Sequence, residues 1–144
     1  MYTGFLHLHD TLRWLILLSL IITLIKYLSG WIGNRPWKRI DNILGIVFTS
    51  LMDLQILTGL TLYFFLSPVT RLAFSDMGAA MKNPDVRFYT VEHFSMMLLA
   101  VALVHIGRAK SKKAILDISK FKIASIYFLI ALGLIMSAIP WSRG

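Results

Sequence analysis

The stretch Thr90-Val91-Glu92-His93-Phe94-Ser95-Met96-Met97 opens an apolar run that closes at His105-Ile106-Gly107-Arg108. As a helix it nearly matches the roughly 20 predominantly apolar residues needed to cross a bilayer. It nevertheless begins with an acid and a histidine and ends with a histidine and an arginine. Ionisable groups on a spanning segment are costly, and they mark function when they occur. The whole chain of 144 residues has only four histidines. The other two, His7 and His9, stand at the start of the first apolar run beside Asp10 and Arg13. What these two clusters hold, and whether they meet, is the question the sequence poses.

Outward from that stretch, the chain is 57% hydrophobic with a mean hydropathy of +0.70, which is too apolar for an ordinary soluble domain. Four segments, at about 5–32, 43–66, 88–108 and 121–139, have the length and composition of membrane spans. They are expected to be helices, because an open strand or loop would leave backbone groups unpaired in lipid. The strict alternation of barrel strands is not seen. The predicted fold is all-α: an integral membrane bundle of four transmembrane helices forming one domain over residues 1–144. Its one long connection is an outer loop at about 67–87, broken by Pro68, Gly78 and Pro84. There is no cysteine, hence no disulfide, no thiolate metal site and no covalently attached c-type haem. The N-terminus lacks a basic region and a small-residue cleavage signal, so its apolar run is expected to be an uncleaved first helix.

Charge sets the expected orientation. Lys26, Arg35, Lys38 and Arg39 lie around the first short connection, and Arg108, Lys110, Lys112, Lys113, Lys120 and Lys122 around the second. The opposite side has Arg13, Arg71, Lys82, Arg87 and Arg143, diluted by Asp10, Asp76, Asp85 and Glu92. Ten basic residues against five place both short connections in the cytoplasm and both termini outside it. In a bacterium this is a multi-pass protein of the inner membrane with periplasmic termini. Topology thus accounts for the net charge of +8, and nucleic acid is not the expected partner. The lipid bilayer is. Trp31 and Trp37 fit an aromatic belt, and Pro140-Trp141 ends the fourth helix.

In a helical N-terminus His7 and His9 are about 200° apart, so only one can face the bundle centre. His9 shares a face with Ile16, Thr23 and Gly30, and with Ser19 and Lys26, the smaller and more polar face that suits a helix interface in lipid. His9 is therefore expected inward. Helices 1 and 3 run the same way, which puts His9 and His93 at similar depth near the outer surface. Two neutral imidazoles at one depth on separate helices can hold a b-type haem from both faces, with His7 as the substitute for His9. Arg13, one turn below His9, suits a haem propionate. Trp14, Phe94 and Met97 are candidates to line the macrocycle, and Arg71, Lys82 and Arg87 supply cations in the loop. Two other outcomes stay open: a zinc, copper or iron ion at His7, His9, Glu92 and His93, or no cofactor, with polar side chains that only cap and pack helix ends.

His105 lies about 18 Å along the axis from His93 and about 120° round it, so the two cannot share a metal. It is expected as a packed or interfacial histidine nearer the cytoplasmic surface, with proton exchange with Asp53 as the alternative. Asp53 follows Gly45 and Thr49 at four-residue spacing and lies roughly 16 Å from the cytoplasmic end of its helix, near the bilayer midplane. It reads either as a packing carboxyl that meets Ser19 or another helix, or as a proton or ion site. No Ser-His-Asp arrangement, P-loop or Rossmann fingerprint supports hydrolytic or nucleotide chemistry.

With His9-Asp10-Thr11-Leu12-Arg13-Trp14 entering the first helix, and Glu92-His93 and His105-Ile106-Gly107-Arg108 on the third, the chain resembles small bacterial membrane-bound b-type cytochromes. These include the di-haem subunits that serve nickel-hydrogenases. Members of that family usually carry an Arg-x-x-His-Trp order and draw histidines from more helices. Here Arg13 directly precedes Trp14, the histidine stands four residues earlier, and helices 2 and 4 have none. With these departures the sequence supports one haem near the outer surface, and the resemblance implies electron transfer with quinol or another membrane redox subunit. It implies an electron-transfer subunit more than a stand-alone enzyme. The competing class is a non-catalytic accessory subunit of a larger respiratory membrane complex.

Overall fold

The computed structural model describes residues 2–66 and 68–139, which are helical almost throughout, with no strand among them. Four helices are long and apolar enough to cross a membrane: α1 (Tyr2–Ile32), α2 (Arg39–Thr61, continued by a π-helical turn Leu62–Leu66), α6 (His93–Lys113) and α7 (Asp117–Ala138). Between α2 and α6 the expected outer loop is instead three short helices, α3 (Pro68–Ser75), α4 (Met77–Lys82) and α5 (Pro84–Arg87), followed by a π-helical turn Phe88–Glu92. Its breakers start helices here. Pro68 and Pro84 take first-turn positions, where a missing N–H costs nothing. Asp76 and Asn83 cap α4 and α5, accepting from Ala79 N at 3.1 Å and from Asp85 N at 3.1 Å. The long helices run past their expected limits. α1 starts near the N-terminus, α2 starts at Arg39, α6 reaches Lys113 and α7 begins at Asp117, because charged side chains at helix ends extend into polar surroundings. Pro140, Trp141 and Arg143 lie outside the described residues.

The helices form a closed ring: α1 packs on α2 and α7, and α6 packs on α7 and α2, so α1 and α6 face each other diagonally. The two short connections, 33–38 and 114–116, share one end of the bundle, called here the basic end. The 62–92 segment covers the other, the capped end. The turn after α1 is forced by Asn34, whose φ of 48° is left-handed; Arg35 N donates to Gly30 O at 3.0 Å and closes the last turn. Pro36 prevents any continuation. α2 opens with Asp41, whose carboxylate accepts from Lys38 N at 2.8 Å. Asp41 is fully buried; Lys26 approaches it at 3.4 Å as an ion-pair contact, and Tyr27 donates its hydroxyl to Asp41 O at 2.6 Å.

The core at this end is aromatic. Tyr27, Phe48, Phe121 and Phe128 are fully buried, with Phe48 and Phe128 edge to face at 5.0 Å. Trp37 joins them, 4.9 Å from Phe121 and 5.1 Å from Tyr27, and so packs into the bundle where a membrane belt was expected. Elsewhere small residues line the seams, Ala100 and Gly107 on α6 against Ala124 and Ala131 on α7, as helix contacts in lipid favour. The outward faces are apolar, with Ile25, Leu18 and Leu57 exposed. This is the surface of a multi-pass membrane protein.

The α6–α7 seam depends on Gly107, where an added Cβ would lie 2.3 Å from Tyr127 Cβ. Gly107→Ala is expected to lower stability by about 1–3 kcal/mol through overpacking. Gly133→Ala meets nothing within 4 Å and should change stability by less than about 1 kcal/mol, towards the better helix former. Denaturation in mixed micelles, followed by far-UV circular dichroism, measures both. Equal effects would show that Gly107 does not set the seam.

Candidate functional site

The capped end brings His9 and His93 together. α1 presents His9 about two turns from its start, and His93 is the first residue of α6. Their ring centroids are 6.3 Å apart, with planes tilted by 54°. His9 is turned inward as its helical face predicts, along with the buried Ile16, Thr23 and Gly30, while His7 is exposed.

Backbone groups fix both rings. α7 ends at Ala138, and a carbonyl in the last turn of a helix has no intrahelical partner. His93 supplies one: its Nδ1 lies 2.7 Å from Ala138 O. A carbonyl only accepts, so Nδ1 carries the proton and, in the neutral ring, Nε2 carries the lone pair. His9 is held from α2, where Gln55 donates its Nε2 to His9 O at 2.8 Å. One turn further along, Gly59 faces the imidazole, where an added Cβ would sit at ordinary contact distance, 3.6 Å from His9 Nε2. A side chain larger than alanine there would crowd the ring. Phe88 packs beside His93, its ring centroid 5.8 Å away.

Two polar atoms at this end lack hydrogen-bond partners among the described residues despite burial: Arg13 Nε and Gln55 Oε1. Arg13 reaches Asp10 at 3.8 Å and lies over the Trp14 ring at 5.0 Å. Trp14 itself is 55% exposed, so it faces away from the space between the histidines. Phe94 also lies outside that space, stacking on Tyr63 at 4.1 Å, whereas Met97 packs on the core. Glu92, next to His93 in sequence, turns out to pair with Arg87 at 3.0 Å. Arg71 donates to Phe65 O, and Lys82 is exposed. None of these loop cations touches the histidines in the described contacts. His7, His9, Glu92 and His93 do not converge, and no group of three or more His, Cys, Asp or Glu that could hold a metal ion occurs among the described residues.

Asp53 and His105 form a second pair. Asp53 Oδ1 and His105 Nε2 are 2.5 Å apart, joining α2 to α6. His105 is thus no isolated interfacial histidine, and Asp53 meets α6 while Ser19 bonds within its own helix to Ile16 O. The sequence reading did not single out Gln55, Gly59 or Ala138 as site residues. The four-residue step from Gln55 to Gly59, a polar and a small residue on one helix face, was the available signal for the first two; a carbonyl leaves none. Comparison of the chain with protein-family models, with curated proteins and with solved structures finds no match.

The two neighbours His93 and Glu92 are expected to separate in their structural roles. His93→Phe leaves Ala138 O without its donor and should cost about 1–3 kcal/mol. Glu92→Gln breaks only an exposed ion pair and should cost less than about 1 kcal/mol. Thermal unfolding in detergent reads both, and a larger cost for Glu92→Gln would reverse the assignment.

Proposed function

We propose that this chain is a membrane electron-transfer subunit that holds one b-type haem at the capped end, with His9 and His93 as its axial ligands. The observation that carries the reading is their ring spacing. The two imidazoles come from separate helices with their centroids 6.3 Å apart, near enough that both would hold one haem iron. The absence of a third donor among the described residues favours a metal that brings its own in-plane ligands over a bare zinc, copper or iron ion.

The supporting residues fit the same group. Ala138 O orients His93 and makes its Nε2 a better donor, as carbonyl partners do for ligating histidines. Gln55 anchors the turn of α1 that carries His9, and Gly59 puts no side chain against its ring. Arg13, with its buried Nε without a hydrogen-bond acceptor among the described residues, suits a propionate carboxylate. A haem bound there supplies a one-electron iron couple. The chain's own residues would hold it through His9 and His93, and Arg13 would balance a propionate charge. Donor and acceptor are a quinol of the bilayer or another membrane redox subunit, in line with the b-type cytochromes the chain resembles. The bias of basic residues towards the other end orients the capped end, and both termini, to the periplasmic side of a bacterial inner membrane.

The visible spectrum of the purified, dithionite-reduced protein tests this. A sharp α band is expected, retained in His7→Ala and lost in His9→Ala. His93→Asn is the informative variant, because its amide can still donate to Ala138 O but cannot ligate iron as imidazole does; it should fold and lose the band. Gly59→Leu should lose it by filling the space. A folded protein that stays colourless after haem is added would refute the proposal and leave a non-catalytic accessory subunit.

A further inference from the structure

The Asp53–His105 pair lies away from the histidine site, about 18 Å along α6 from His93, near the middle of α2. Its side chains are 51% and 47% exposed. Around them lie the exposed Ile46, Ser50 and Leu57 of α2 and Leu98, Ala102 and Ala109 of α6. In a bundle that crosses a membrane, this sets an acid and a base on the surface that faces hydrocarbon. Ionisable side chains within spans normally turn to the bundle interior or to a water-filled cavity. Interior positions exist on the same helix, where Thr49 and Gln55 are buried.

α6 departs from expectation in a second way. Its spanning window has the lowest mean hydropathy of the four, 1.3 against 1.7 to 2.0, and also the smallest buried share, 22% against 33% to 39%. The most polar span should be the best shielded from lipid, yet it is the least. Both departures disappear when the α2–α6 face is covered.

We propose that a second copy of this chain covers that face, related by a two-fold axis along the membrane normal beside α2 and α6. The charges select a copy over a foreign helix. Asp53 and His105 touch, so they share one depth. Rotation about the normal preserves depth, and it brings Asp53 of each copy to His105 of the other. The face is complementary to itself, acid to base. A partner of different sequence would need its own acid and base at the same level. Ala102 and Ala109, a heptad apart on the His105 side of α6, allow the backbones to approach closely. The four groups then pair in a ring shielded from lipid.

The chain contains no cysteine, so single introduced thiols report proximity without background. In native membranes Ala102→Cys is expected to give a covalent dimer with a short bis-maleimide. Leu18→Cys, 57% exposed on α1, is expected to remain monomeric. Differently tagged chains then test the charges. Asp53→Ala and His105→Ala homodimers each lose both crossed contacts, but the mixed dimer keeps one. Interhelical hydrogen bonds in bilayers are worth roughly 3- to 15-fold in association, so the ratio of mixed to same-variant dimers should exceed its statistical value by that factor. Three outcomes overturn the proposal: statistical mixing, which makes the pair purely intramolecular; equal crosslinking at Leu18→Cys and Ala102→Cys; or an Ala102→Cys product only with a larger, foreign protein.

Discussion

Polar groups in apolar surroundings need partners within the chain, and helix ends, with up to four unpaired backbone groups each, are where that demand is greatest. The bond from His93 to Ala138 O answers it at the capped end, tying the start of α6 to the last turn of α7. Gln55 does comparable work across α1 and α2 through His9 O. At the basic end Asp41 occupies a fully buried position because Lys38 N, Lys26 and the neighbouring Tyr27 hydroxyl surround it. Ligating side chains and structural side chains are therefore not separate sets. His93 meets the demand of α7 with one ring nitrogen, and by doing so fixes which nitrogen carries the lone pair.

Glycine serves the same economy where a long polar side chain must cross a helix. Arg108 leaves α6, passes over Gly45 of α2 and donates to Asn42 Oδ1 at 3.2 Å. A Cβ on Gly45 would lie 2.2 Å from Arg108 Nη1 and 2.8 Å from the Tyr27 hydroxyl. The cation is thus carried along the α2 surface towards the polar end, with its aliphatic stem in the apolar layer. Gly59 stands about four turns further along on nearly the same helix face and puts no side chain against His9. At Gly45 the space is filled by a guanidinium, and at Gly59 it lies against an imidazole.

The four spans were readable because length and apolarity alone define them, and the inward face of α1 because its small and polar residues recur at helical spacing. His9 and His93 were readable as partners by depth, since parallel spans put equal distances from an end at equal levels. What the sequence did not disclose is lateral. Depth says nothing about which helices are neighbours, so the meeting of Asp53 with His105 stood only as an alternative, and a third span expected to end at 108 left His105 too near one surface, where α6 runs on to Lys113. Trp37 reads as a belt residue until the ring of helices places Phe121 and Tyr27 beside it. Glu92 looked like part of the site because it adjoins His93. Adjacent helical residues diverge by about 100°, and Arg87 is the neighbour it finds.

The direction of His93 also depends on the π-helical turn before it, Phe88–Glu92. A π turn carries one residue more than an α turn, so everything after it is rotated by about 100° relative to an uninterrupted helix. The matching π turn at Leu62–Leu66 ends α2 at the same end of the bundle, and Tyr63 from the one stacks on Phe94 just beyond the other at 4.1 Å. The two turns together couple the end of α2 to the start of α6. An uninterrupted helix from Pro84 through Lys113 would present a different residue to Ala138 O, and His93 would then turn away from His9. The inserted residue costs regular hydrogen bonding in both turns, and such turns persist mainly where a side chain has to be aimed. The ring-to-ring geometry of the two histidines is therefore a property of the backbone path as much as of the two residues.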